Sequence, residues 1–274
     1  MSKAPLLTDR AALIRNRTRA LAPGAPFLHD IAAEELQDRL AMVKKSFNTP
    51  GVVTGHADFW GDALGDGWVV SPDDERVSLA QGAHDLVVHT MALHWANDPV
   101  GQLIQCLRAL KPDGLFLAVM FGGQTLHELR AALAQAESEI SGGLSPRIAP
   151  MGEIRDLGGL LQRAGFALPV ADRLVLKASY ADLSALMREL RAMGEGNALD
   201  QRMRRFAPRR LFSRAEEIYR TAYGQDDGRL PATFELVFLQ GWAPDESQPK
   251  PLRPGSAQAR LADALGADEF KIED

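Results

Sequence analysis

One cysteine, Cys106, stands among 274 residues. A single thiol closes no internal disulfide. Its place among the apolar positions of a helical repeat reads as a packed side chain, so a reducing cytoplasm is the expected compartment. No apolar run approaches the roughly 18 residues of a membrane-spanning helix. Cations do not dominate either. Lys and Arg number 31 against 36 Asp and Glu, a formal net charge of −5, which argues against a general nucleic-acid binder. No internal repeats are evident. The chain does have apolar content, 46%, enough for one large core.

Residues 85–117 are the most structured stretch. Leu86-Val87-Val88 is a short apolar run behind Asp85, and Leu115 to Phe121 is another, just after Pro112-Asp113-Gly114. Unbroken runs of this kind suit strands buried on both faces, as in parallel sheets. Between them Leu103, Ile104, Leu107 and Leu110 recur at helical spacing. The pattern is a βαβ unit with a right-handed crossover, and the fold class is α/β.

The rest of the chain divides into a basic leader over 1–26, a domain over 27–245 and a proline-rich tail over 246–274, with a short helix expected at 257–265. The leader carries Arg10, Arg15, Arg17 and Arg19. It lacks the serines of a transit peptide and has Asp9 beside it, so a basic helix packed on the domain or resting on an acidic partner is preferred. Helices are expected over 27–47 (Ile31, Leu36, Leu40, Val43, Phe47), 125–139, 153–164 with Gly165 as C-cap, 182–193 with Asp182 as N-cap, and 213–223 with a Ser213/Glu216 capping box. Strands are expected over 174–179 and 233–242.

The Asp85-Leu86-Val87-Val88 run, the His94-Trp95 pair and the Leu110-Lys111-Pro112-Asp113-Gly114 turn resemble the fourth strand, following loop and fifth strand of class I S-adenosylmethionine-dependent methyltransferases. Further motifs narrow the likeness: Phe121-Gly122-Gly123-Gln124-Thr125, Leu144-Ser145-Pro146-Arg147, Asp156-Leu157-Gly158, Met193-Gly194-Glu195-Gly196-Asn197 and Pro231-Ala232-Thr233-Phe234-Glu235. This set resembles the methyltransferase-fold assembly factor of respiratory complex I, implicated in arginine hydroxylation, and its alphaproteobacterial relatives. It is more distantly similar to the malonyl-carrier-protein methyltransferase of biotin synthesis. The likeness implies a Rossmann-like, mostly parallel sheet with an antiparallel edge formed by the 174–179 and 233–242 strands.

The cofactor half departs from the family. Its members carry an acid and then Gly-x-Gly-x-Gly after the first strand, so that backbone can approach the cofactor. Here Gly51-Val52-Val53-Thr54-Gly55-His56 supplies one glycine after the strand and no acid before it. The family then has a helix and a second strand ending in the acid that holds the ribose. The glycine-broken interval from Gly55 to Trp68 reads as too short for both, with at most a helical turn. The N-terminal half of the fold is therefore expected to be shortened. The 69–75 segment is matched instead to the third strand and adenine-contacting turn.

By resemblance, the cofactor-binding positions are Gly55, Asp74 within the Asp73-Asp74-Glu75 run, His89, His94 and Trp95. No catalytic residue and no metal is assigned. His56, Asp58, His84 and Asp85 invite a metal reading, but their spacing fits surface loops better. Arg202, Arg204, Arg205, Arg209 and Arg210 around Phe206 read as a solvated basic face, with a dock for an acidic partner as the alternative. Gly122-Gly123 reads as a tight strand-to-helix turn. The resulting expectation is a methyltransferase-family protein with a degenerate cofactor loop, acting in complex I assembly on a complex I subunit and binding S-adenosylmethionine weakly or not at all. The alternatives are an active methyltransferase on a small molecule or carrier protein, and a protein arginine hydroxylase.

Overall fold

The computed structural model of the protein describes residues 6–20 and 27–249. The helix expected at 257–265 lies outside them. Residues up to Pro244 belong to one compact unit. Of the second unit, Asp245–Asp274, the described part is a turn in which the Asp245 carboxylate accepts from the backbone N–H and hydroxyl of Ser247. No helix among the described residues is long and apolar enough to cross a membrane.

The sheet has six strands: β1 (Pro50–Thr54), β2 (Val69–Pro72), β3 (His84–Thr90), β4 (Leu110–Phe121), β5 (Ala167–Tyr180) and β6 (Leu230–Trp242). Their order is β2-β1-β3-β4-β6-β5. The first four are mutually parallel. β6 runs antiparallel between β4 and β5, giving the antiparallel edge that the family likeness implied. The 85–121 pattern folds as read, with Leu86 opposite Leu115 and Val88 opposite Leu117.

Strand periodicity sends alternate side chains to opposite layers. Leu86, Val88, Leu115, Leu117 and Val119 pack in one core, under α2 (Phe27–Met42), α3 (Ala57–Leu64), α5 (His127–Ser141), α7 (Leu183–Ala192) and α8 (Arg209–Tyr223). Val87, Phe116, Ala118 and Met120 pack in the other, under α4 (Pro99–Ala109) and α6 (Ile154–Ala164). α4 starts at Pro99 because Asp98 caps it, accepting from the Gly101 N–H at 2.8 Å. Cys106 is fully buried on α4, and burial pushes its thiol up to about 12. Gly165 (φ 93°) and Asp182 cap α6 and α7 as expected.

Two expectations are corrected. The capping box at Ser213 does not form, because α8 begins four residues earlier; the Ser213 hydroxyl donates back to the Arg209 carbonyl inside the helix. The larger correction concerns the Gly55 to Trp68 interval. It holds an eight-residue helix, α3, and leads directly into β2, which pairs parallel with β1 and ends at Pro72, next to Asp73. Gly61 costs this helix about 1 kcal/mol. Trp60, fully buried, removes about 150–250 Å² of ring surface from water at about 25 cal/mol/Å². Burial wins, and Gly65 and Gly67 (φ 81° and 91°) then turn the chain into β2. The helix-strand-acid unit is therefore present, and the adenine-turn alignment of 69–75 is withdrawn. Two strands precede β3 among the described residues, so the N-terminal half is a strand short of the three that the family pattern has there.

Candidate functional site

The carboxyl ends of β1, β2, β3 and β4 share one edge of the sheet, where ligands bind in open α/β folds. Across it lies α1 (Arg10–Arg19), tied down at its start. Asp9 caps the helix, accepting from the Ala12 N–H at 3.0 Å. Its own N–H donates to the Ala198 carbonyl, and its carboxylate takes Arg202 at 2.9 Å. Asn16 donates to the Gly196 carbonyl at 2.9 Å. α1 and the 194–202 segment thus hold each other.

The contact beneath α1 defines the site. Asp73, the acid at the end of β2, is 4% exposed. Arg17 Nη1 donates to both its carboxylate oxygens at 2.8 and 2.9 Å. Arg10 adds a fork at 3.1 and 3.2 Å and also reaches Asp74 at 3.1 Å. Burial alone would raise the Asp73 carboxyl, but the two guanidinium groups hold it well below the usual carboxylate range. The same Arg17 group covers Gly55: a Cβ built there would fall 1.9 Å from Nη1. A cleft of about 820 Å³ opens alongside, lined by Arg10, Arg17, Gly55, His56, Asp58 and Asp74.

Glu195 forms the second feature. Trp95 Nε1 donates to Glu195 Oε2 at 2.8 Å, and His94 Nε2 lies 3.3 Å from the same oxygen. The other oxygen, Oε1, is buried with no hydrogen-bond partner among the described residues. Burial pushes this carboxyl up, yet His94, Arg17 and Trp95 bring it down to about 2, so it is ionised. Trp95 and Glu195 wall an apolar cavity of about 220 Å³ with Phe121, Leu126, Met187 and Phe234.

Between these features lie neutral imidazoles. His29 and His56 stack edge-on with ring centroids 4.7 Å apart. Burial takes His29 down to about 3 and lowers His56 as well. His89 is fully buried, 3.0 Å from Gln102 Oε1, and is down at about 4, chiefly through burial. Gln102 in turn donates to the Asp73 and Asp74 carbonyls.

Gly55, Asp74, His94 and Trp95 therefore gather around α1, with His89 one layer below. The four residues that invited a metal reading do not converge. His56 and Asp58 follow β1, while His84 and Asp85 begin β3 at the far end of the sheet, bonded to Thr49 and Asn48. Sequence reasoning missed Arg17, His29 and Glu195. It grouped Asp73 with its neighbours without seeing that Asp73 alone is buried. The acid at the end of β2 has both oxygens engaged by arginine, and a guanidinium covers the one glycine that follows β1.

A methyltransferase-domain family model matches residues 41–118. Among curated proteins, the chain is 40% identical over 194 residues to arginine-hydroxylase NDUFAF5 of Danio rerio, covering 71% of this chain and 60% of that protein. It is 41% identical over 188 residues to the Homo sapiens protein of that name, covering 69% and 54%. It is also 38% identical over 178 residues to malonyl-[acyl-carrier protein] O-methyltransferase of Laribacter hongkongensis, covering 64% and 57%. The chain thus spans little more than half the length of these relatives. The domain match, these relatives and the sheet topology together support a class I methyltransferase fold for the chain.

Proposed function

We propose that this chain is a methyltransferase-fold protein that has lost conventional methyl transfer and works in respiratory complex I assembly, with a complex I subunit as partner. The carrying observation is the Arg17–Asp73 pair over Gly55. A ribose acid normally accepts two charge-assisted hydrogen bonds, each worth about 1.5–3 kcal/mol. With Asp73 already engaged, affinity falls by on the order of a hundredfold or more. One glycine where the family pattern has three narrows backbone approach further. The protein then belongs in the cytoplasm, where a lone buried thiol needs no oxidised partner. Calorimetric titration of S-adenosylmethionine into the purified chain tests this, and no binding heat is expected. Micromolar binding beside Gly55 and Asp73 would return methyl transfer, on a small molecule or a carrier protein, to first place.

A second reading, hydroxylation of a protein arginine, is favoured by Glu195. Its unpartnered buried oxygen beside an apolar cavity suits a guanidinium that arrives on an aliphatic stem. Binding of an arginine-containing peptide should quench Trp95 fluorescence, and Glu195→Gln should weaken that binding roughly tenfold or more. Equal binding by both proteins would remove this reading.

A further inference from the structure

We infer that the 202–210 segment is a docking surface for an acidic, partly apolar segment of another protein. Five arginines fall within these nine residues, in a chain whose net charge is −5. Phe206, at the middle, is 104% exposed, so the largest apolar side chain of the segment touches almost nothing of its own fold. Arg205, Arg209 and Arg210 are exposed and have no carboxylate partner among the described residues.

The local physics works against the free protein. Arg209 and Arg210 open α8, whose first turn carries no acid and whose N-cap, Pro208, offers no side chain to it. Two cations at the positive end of a helix dipole lower local stability. Repulsion from Arg204 and Arg205 adds to that. A carboxylate-bearing partner relieves both. Asp9 and Asp200 offset only Arg202 and Arg204.

The side-chain chemistry selects a protein over a membrane. All five cations are arginine and none is lysine. Arginine's planar fork matches carboxylates two bonds at a time and, with aromatic residues, is enriched where protein interfaces concentrate their energy. Asp9 and Asp200 lie within the patch and would repel an anionic bilayer. A single aromatic residue gives little insertion into lipid. The surface stands whether or not the chain transfers methyl groups, so its test is independent of cofactor binding.

The experiment uses the full chain and three probes: a synthetic peptide in which Asp and Glu flank Leu, polyglutamate of the same length, and vesicles of phosphatidylcholine with phosphatidylglycerol. Binding is read by fluorescence anisotropy and by flotation. The Asp/Glu/Leu peptide should bind and should weaken as salt is raised. Phe206→Ala should weaken it roughly tenfold or more, while leaving polyglutamate binding unchanged. A triple variant, Arg205→Glu with Arg209→Glu and Arg210→Glu, should lose both ligands without any fall in melting temperature. Failure of the Asp/Glu/Leu peptide to bind, or binding indifferent to Phe206→Ala, would overturn the proposal. So would vesicle binding that shares the same variant dependence, which would make the surface a membrane contact.

Discussion

Acidification from about pH 7 to about pH 5 should cost this protein about 4 kcal/mol of folding stability, most of it before the carboxylates titrate. The source is two buried imidazoles. His29 is 1% exposed and titrates at about 3; His89 is 0% exposed and titrates at about 4. Unfolded, each takes up a proton near 6.5. Between the folded and unfolded values the unfolded chain binds more protons, so stability falls as pH falls. The loss starts near 6.5 and is complete for each group at its folded value. His29 faces His56, Arg17, Glu195 and His94, and three of these four disfavour its protonation. Asp73 and Glu195 act in a lower window. Their depressed carboxyls contribute stability that is present above about 4 and disappears below it. Urea unfolding at both pH values measures the change. His29→Leu should remove about half of the difference, whatever it does to stability at neutral pH. An unchanged pH slope in that variant would show that His29 does not stay neutral in the folded protein.

The difference between what the sequence displayed and what it concealed is physical. β3, α4 and β4 were readable because their residues satisfy local rules: apolar runs, a Pro-Asp-Gly turn and helical spacing. Asp182 and Gly165 were readable because caps depend on one residue each. The Gly55 to Trp68 interval misled because propensity counts glycines and does not count the burial of Trp60, which depends on α2, distant in sequence but packed in the same layer. The site was half readable. His94 and Trp95 stand beside recognisable motifs, but their partner Glu195 lies 100 residues away. Arg17 was hidden for the same reason. In sequence it is one of four arginines in a basic leader, and nothing local separates it from the exposed Arg15. Only the sheet, by bringing Asp73 under α1, makes it a buried counter-ion.

That pair carries the second large effect. Arg17→Ala should destabilise the fold by about 3–5 kcal/mol, the usual cost of leaving one partner of a buried ion pair uncompensated. Both side chains are under 10% exposed, so salt should change the result little. Arg10 remains on Asp73, but it is the more exposed partner and also holds Asp74, which places the expected loss at the lower end of that range. The double variant Arg17→Met with Asp73→Leu should recover most of the loss, since apolar groups of similar volume replace a buried pair at little cost. Urea unfolding of the two single variants and the double gives the coupling directly. A loss below about 1 kcal/mol in Arg17→Ala would make the contact equivalent to a surface pair. The same variant separates two histories of the site. With Arg17 gone, Arg10 still engages Asp73 and the β1–α3 turn still offers only Gly55, so S-adenosylmethionine should remain unbound. If binding appears in Arg17→Ala, the arginine is a gate over a working cofactor site, which moving α1 would open.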